Sequence, residues 1–160
     1  HKSFDLAELL SNNLTVVAMS AYENGVRFEG GVEANTIRHR YLIGSPLHLS
    51  RVLMNLASNA IKYNHAGGSV TVSMQQENHQ VLLHIADTGC GISEEYRESI
   101  FQPFFRVDKS RSRQMGGVGL GLALVREIAV LHGGSVCVES GSKDGTTFAV
   151  KLPLNGEKTE

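Results

Sequence analysis

Two glycine clusters bracket the stretch from residue 87 to residue 121. Asp87-Thr88-Gly89-Cys90-Gly91 opens it, and Gly116-Gly117-Val118-Gly119-Leu120-Gly121 closes it. Without a Cβ, a backbone can turn through positive φ and come close to a ligand. Where such a run opens a helix, its free N–H groups point outward and form an anion site. The loop before the second cluster carries Lys109, Arg111 and Arg113, cations suited to a polyphosphate. These residue types together read as a nucleotide pocket with a mobile, basic lid. A dinucleotide-binding fingerprint needs a strand running into Gly-x-Gly-x-x-Gly. Here the second cluster follows a polar loop, and its spacing is Gly-x-Gly-x-Gly. No Gly-Lys-Ser/Thr occurs in the chain, which excludes a P-loop.

A second set of polar groups lies upstream. Asn55, Asn59 and Lys62 stand at i, i+4 and i+7 and share one helical face beside an apolar stripe. Asn is a poor residue for a helix interior, so two of them aligned with a Lys suggest side chains aimed at a ligand. Carboxamide oxygens are hard ligands suited to Mg2+. The bland alternative is a solvated face. A third candidate is Asp87, which follows Val81, Leu83 and Ile85 on the same parity of a strand. A carboxylate ending a core-facing stripe is costly without a partner. It either caps the Asp-x-Gly turn or accepts a hydrogen bond at the floor of a pocket. Thr146 shares its parity with Phe148, Val150 and Leu152, which turns its hydroxyl inward towards Asp87.

Composition sets the frame for these groups. With 160 residues, 41% of them hydrophobic and 19% charged, the chain suits one soluble globular domain. Residues 1–155 are expected to form it, with 156–160 as a disordered tail. A net charge of −1 argues against a broad nucleic-acid footprint. The longest apolar run, Leu120 to Val125, stops at Arg126, too short to span a bilayer. No signal peptide follows His1, so a cytoplasmic setting is expected. Cys90 and Cys137 are expected to be reduced thiols, and the seven histidines show no metal-ligand spacing.

The elements that position the polar groups can be read in order. Asp5-Leu6-Ala7-Glu8 resembles a capping box, and Leu6, Leu9, Leu10, Leu14 and Val17 predict a helix ending near Asn24-Gly25. Val26 to Val32 and Ile37 to Ile43 read as two short strands about a turn at Glu33-Ala34-Asn35. Ser45-Pro46 starts a helix that runs to about Tyr63 over a stripe of Leu49, Leu53, Leu56 and Ala60. Strands follow at Val70 to Met74 and Val81 to Asp87, then a short helix from Ser93 to Phe101. A helix from Gly119 to His132 is expected to pack Leu120, Leu124, Ile128 and Leu131. Strands through Val136 and Val138 and through Thr146 to Leu152 complete the chain.

In this order the motifs resemble the ATP-binding catalytic domain of sensor histidine kinases, within the gyrase, heat-shock-90, histidine-kinase and mismatch-repair-ATPase superfamily. Residues 55–63, Asn-Leu-Ala-Ser-Asn-Ala-Ile-Lys-Tyr, resemble the N box, and Asp87 to Ile92 the first glycine box. Phe101-Gln102-Pro103-Phe104-Phe105-Arg106 resembles the F box. Gly117 to Gly121 resembles the second glycine box, and Gly145-Thr146-Thr147-Phe148 the last. The resemblance implies an α/β fold: a two-layer sandwich of the Bergerat ATP-binding type. Its sheet would be mixed and mostly antiparallel, with three helices on one face and a flexible ATP lid.

It also implies ATP and Mg2+ as cofactors, and roles for particular residues. Asp87 would accept from the adenine amine, with Thr146 and a bridging water completing recognition of the base. Tyr63 and Ile92 would pack on the base, and Gly89 and Gly91 of the turn would belong to the ATP site. Asn59 would ligate Mg2+ and Asn55 would support the metal or its water. Lys62 would reach the phosphates, and Gly117, Val118, Gly119, Leu120 and Gly121 would line them. One of Lys109, Arg111 and Arg113 would meet the γ-phosphate. Asn55, Asn59, Lys62 and Arg111 carry the catalytic expectation.

Two departures stand out. Ser45 replaces the family's usual Asp but can still cap its helix. No His-Glu/Asp-x-x-Thr/Ser-Pro phosphoacceptor motif is present, so the resemblance implies the catalytic half of a longer kinase. Its partners would be a histidine-bearing dimerisation domain and a response regulator, with no nucleic acid and no membrane insertion of this domain, which would be the cytosolic domain of a membrane-anchored sensor. A superfamily ATPase or a nucleotide-sensing module are the alternatives.

Overall fold

The computed structural model describes residues 2–30, 41–105, 121–142 and 145–155. A two-stranded antiparallel sheet pairs β1 (Lys2–Asp5) with β3 (Tyr41–Gly44). A five-stranded mixed sheet contains β2 (Arg27–Gly30), β4 (Ser69–Glu77), β5 (Gln80–Asp87), β6 (Ser135–Ser142) and β7 (Gly145–Pro153), in the order β2-β4-β5-β7-β6. Among the described residues only the β2–β4 pairing is parallel; the rest are antiparallel. Three α-helices are described: α1 (Leu6–Glu23), α2 (Pro46–Lys62) and α3 (Gly121–Leu131). The expected turn at residues 33–35, the lid residues 106–120 and the tail 156–160 lie outside the described residues.

The helix starts follow from their caps. Asp5 Oδ1 accepts from the Ala7 and Glu8 amides at 2.9 and 3.3 Å, which satisfies two orphan donors of α1. Ser45 Oγ accepts from His48 N–H at 3.3 Å, with Pro46 in the first turn of α2. The strands follow their parity. Val70 and Val72, Val81, Leu83 and Ile85, and Phe148, Val150 and Leu152 are all buried on one side of the sheet. There they meet Leu49, Val52, Leu53, Leu56, Ala57, Ala60 and Ile61 of α2, in a core extending from Leu6 to Leu154. The expected stripe of α2 is therefore buried as a whole. Leu56, at its centre, is 0% exposed. Leu56→Ala should cost about 2–5 kcal/mol, the lost transfer energy plus the cavity left behind. Urea unfolding would show this as a lower midpoint at unchanged slope, and a loss under about 1 kcal/mol would contradict this packing.

Three local expectations need correction, and one strand was not foreseen. β2 and β3 do not form a hairpin with each other; they belong to different sheets. The Arg27 amide donates to Gly68 O at 2.8 Å, and the Gly67 amide to Gly25 O at 2.9 Å. These bonds zip β2 alongside the start of β4, with α2 lying in the crossover between them. Strand β1 carries no alternation long enough to reveal it and is defined by its pairing with β3. The span from Ser93 to Phe101 forms two separate 3-10 turns, Glu94–Tyr96 and Ser99–Phe101, and Ser93 makes no side-chain cap. So short a segment cannot recover the cost of nucleating an α-helix.

Helix α3 docks through a face that shares Ile128 with the expected stripe but not Leu124 or Leu131. Val125, Ile128 and Ala129 are buried, while Leu124 is 37% and Leu131 70% exposed; Leu120 lies outside the described residues. The helix is apolar nearly all round, so periodicity could not select its docking face. Its far end is held by His132. The ring Nδ1–H donates to Ile128 O at 2.8 Å, and the Ser45 amide donates to Nε2 at 3.0 Å. The geometry assigns the tautomer with its proton on Nδ1, and ties the end of α3 to the start of α2.

Candidate functional site

Asp87 ends β5 on the helix-covered side of the sheet, in register with Val70 of β4 and Thr146 of β7. Its Oδ1 accepts from the Gly89 amide at 2.8 Å and from the Thr146 amide at 3.3 Å. Its Oδ2 takes no hydrogen bond among the described residues. Turn-capping and a pocket-facing acceptor are therefore both present, one on each oxygen. Gly145, just before Thr146, has φ +137°, and a Cβ there would overlap the Asp87 carbonyl oxygen. Two distant strands can meet closely enough at this row only because that position lacks a side chain.

The C-terminal end of α2 forms one wall. Asn59 and Tyr63 stand one turn apart, with the Tyr63 amide bonded to Asn59 O at 3.0 Å. Asn64 continues from that end into a polar staple. Its Nδ2 donates to Ser69 O at 2.9 Å, and Thr88 Oγ1 accepts from the Ser69 amide at 2.8 Å and donates to Asn64 Oδ1 at 3.3 Å. His65 Nε2 lies 3.1 Å from Thr88 O. The turn after Asp87 is thus fastened to the end of α2. A Cβ at Gly89 would sit 2.5 Å from the Tyr63 carbonyl oxygen, so this close approach also requires glycine.

The opposite wall is apolar. Ile92, Ile100, Phe105, Leu122 and Phe148 line a cavity of about 430 Å³ together with Asn59, Tyr63, Asp87, Cys90, Gly91, Ser93 and Thr146. Rings brace it: Phe101 meets Phe148 edge-on at 6.2 Å, and Tyr96 meets Phe105 at 5.8 Å. An apolar cleft of this size with a few converging polar groups suits a flat, amphipathic ligand. A nucleobase fits that description. The start of α3 borders the same region, since a Cβ at Gly121 would lie 3.5 Å from Asn55 Oδ1. The first described turn of α3 thereby borders the amide stripe of α2.

Burial raises the Asp87 carboxyl above its ordinary 3.8, against the smaller opposing pull of the Gly89 and Thr146 amides. Folding then favours the neutral acid. The increment is complete below the ordinary value and is lost as pH rises through Asp87's own, higher pKa. Asp87→Asn does not titrate and keeps no such loss. Thermal melts of the two chains should therefore diverge in the variant's favour as pH climbs through that window. A difference that stays constant would show an ordinary carboxyl.

The structure brings together Asn59, Tyr63, Asp87, Gly91, Ile92 and Thr146 around one cavity, with Gly89 buried behind Asp87. Asn55 stands beside the start of α3 and is not among the cavity-lining residues. Lys62 is also outside the lining, its ammonium lying 5.6 Å from the centre of the Tyr63 ring. Gly121 opens α3. Lys109, Arg111, Arg113, Gly117, Val118, Gly119 and Leu120 lie outside the described residues. Sequence reasoning missed Cys90, Ser93, Ile100, Phe105, Leu122 and Phe148 as lining residues. Phe148 alone carried a signal, the parity it shares with Thr146. Among the described residues no group of three or more His, Cys, Asp or Glu could hold a metal. A carboxamide at the cavity wall still suits a cation that takes most of its ligands from phosphates and water, as Mg2+ does. No helix among the described residues is long and apolar enough to cross a membrane.

Comparison with known proteins agrees with this geometry. Residues 44–156 match the family model for histidine kinase-, DNA gyrase B- and HSP90-like ATPases. The sensor histidine kinase GacS of Pseudomonas protegens is 37% identical over 155 residues, covering 94% of this chain and 17% of GacS. Among solved structures, the mycobacterial sensor histidine kinase MprB is 31% identical with a TM-score of 0.81, covering 99% of this chain and all of that one. Full-length ShkA in complex with AMPPNP is 27% identical with a TM-score of 0.82, covering 98% of this chain and 31% of that one. The chain spans between 17% and 25% of the length of such curated relatives.

Proposed function

Because the chain belongs to the family of histidine kinase-, DNA gyrase B- and HSP90-like ATPases, and its relatives are sensor histidine kinases, we propose that it binds Mg-ATP in this cavity and presents the γ-phosphate to a histidine on a separate phosphoacceptor domain. The observation that carries this reading is the unshared Oδ2 of Asp87 at the floor of an apolar cleft. It offers one acceptor to an exocyclic amine while aromatic and aliphatic walls take the ring faces. Tyr63 and Ile92 supply those walls, and the Thr146 hydroxyl completes the polar edge, directly or through water. Asn59 would hold Mg2+ from α2, with Asn55 supporting its water. The metal, when bound, neutralises charge on the phosphates. Lys62 must swing from the Tyr63 ring to reach them, and the N–H groups of residues 117–121 would receive their oxygens. One cation among Lys109, Arg111 and Arg113 would meet the γ-phosphate.

Phosphoryl transfer depends mainly on alignment and charge neutralisation, which a binding domain can provide while its partner brings the nucleophile. Such a partner would be the histidine-bearing dimerisation domain of the same protein, with a response regulator downstream. The reading of the cavity as an ATP site supports a cytosolic setting for the domain. Asn55 stands where a hydrolysing relative would need a carboxylate base, and a carboxamide cannot take a proton from water. Rapid steady-state phosphate release is therefore not expected.

The test mixes the chain with a histidine-bearing dimerisation domain and γ-labelled ATP. Acid-labile, alkali-stable label on that domain is the expected result. Nucleotide binding with no transfer would favour a sensing module, and rapid release of phosphate an ATPase.

A further inference from the structure

Both ring nitrogens of His65 face carbonyl oxygens. Nδ1 lies 3.2 Å from Ala66 O, and Nε2 lies 3.1 Å from Thr88 O in the turn that follows Asp87. We propose that His65 is a positioning residue for base recognition, which sets the Asp87 carboxylate through the Thr88–Gly89 peptide. This rests on the reading of the cavity as the nucleotide site.

One peptide unit carries the connection. Its carbonyl, Thr88 O, accepts from His65, and its N–H, that of Gly89, donates to Asp87 Oδ1 at 2.8 Å. A bond at the oxygen end polarises the N–H at the other end and holds the plane in which it points. The rest of Thr88 is engaged elsewhere. Its amide donates to Ser69 O at 3.2 Å, and its hydroxyl accepts from the Ser69 amide and donates to Asn64 Oδ1. Those bonds fix Thr88 on its N-terminal side, whereas His65 acts on the peptide plane that meets Asp87. With Oδ1 so held, Oδ2 stays the acceptor offered to a base amine.

Two carbonyls ask for two donors, and a neutral imidazole has one. The protonated ring serves both. Once it loses a proton, Thr88 O and Ala66 O compete for the one that remains. The residue is exposed, so its ring exchanges protons with solvent. The titratable groups on the segments that meet here are Lys62 and Tyr63 of α2, Asp87 of β5, Cys90 of the turn, and Glu23 and Arg27 on either side of Gly25. No ion pair joins any of them to His65 among the described residues. The hold on the peptide is therefore strongest at the acid end of the range in which histidines titrate, and slackens as pH rises through it.

Calorimetric titration with ADP and with inosine diphosphate, each with Mg2+, tests the proposal on the parent chain, His65→Ala and His65→Gln at pH values from about 5 to 8. A carboxylate free to turn makes a weaker bond to an amine and a weaker repulsion to a keto oxygen. The preference for adenine should therefore narrow about three- to tenfold in His65→Ala, the worth of one hydrogen bond. His65→Gln keeps an amide donor near the place of Nε2 and does not titrate, so it should regain most of that preference. The parent should exceed His65→Ala most at low pH and approach it as pH rises. Asp87 and the phosphates titrate in all three chains, so the ratio between chains isolates the ring. Equal losses for both bases overturn the proposal, as does a ratio of parent to His65→Ala that stays flat with pH. A parent chain that binds neither nucleotide overturns the reading of the cavity, and the proposal with it.

Discussion

Asp87→Ala should weaken binding of an adenine nucleotide by about 1.5–3 kcal/mol, the usual worth of a hydrogen bond to a charged group. That is roughly ten- to a hundredfold in Kd. Asp87→Asn should lose as much with adenine, for a reason specific to this geometry. Two amides, Gly89 N–H at 2.8 Å and Thr146 N–H at 3.3 Å, converge on Oδ1 and require an oxygen there. An asparagine must therefore turn its nitrogen into the cleft, where it meets an amine donor with another donor. The same orientation suits a 6-oxopurine. Inosine or guanine nucleotides should consequently gain on adenine nucleotides in Asp87→Asn relative to the parent chain, as read by competitive titration. Equal affinity of parent and Asp87→Ala for ATP would remove Asp87 from base recognition.

The second large effect falls on Gly145. Its φ of +137° lies where side chains are strained, and a Cβ would overlap the Asp87 backbone carbonyl. A residue forced into a sparsely populated backbone region costs about 1–3 kcal/mol. Overpacking in a closed environment adds about 1–3 kcal/mol. Gly145→Ala should therefore lose about 2–6 kcal/mol, a large share of the stability of a domain this size. Relief of the clash would have to part β5 from β7 at the row that carries Asp87 and Thr146. Nucleotide affinity should then fall even at temperatures where the variant stays folded. Melting by circular dichroism and titration with AMPPNP measure the two effects separately. A variant that melts like the parent would show that the two strands can separate there at little cost.

Much of the site was legible because its signals are local. A stripe of amides on α2 and an acid after an apolar alternation are read from i, i+4 and i, i+2 spacing alone. The parity argument that turned Thr146 towards Asp87 matches the observed register. The apolar wall was less legible. Ile100 and Phe105 come from a segment of 3-10 turns, and Leu122 from a helix apolar on most sides, so no pattern singles them out. Lys62 had the right spacing, but a long flexible side chain rests on the nearest ring when nothing anionic is present.

By itself the sequence determined the courses of α1 and α2 and of β4, β5 and β7, which side of α2 and of those strands is apolar, and which polar groups end those sides. These follow from the 3.6- and 2-residue periods and from caps, all contained within one element. Only the tertiary structure decided that β2 pairs with β4 and β3 with β1, that α3 docks through Val125 and Ala129 beside Ile128, and that Thr146 shares Asp87's oxygen with Gly89. Each of those depends on groups far apart in the chain competing for the same partner, and no local period records which of them will arrive.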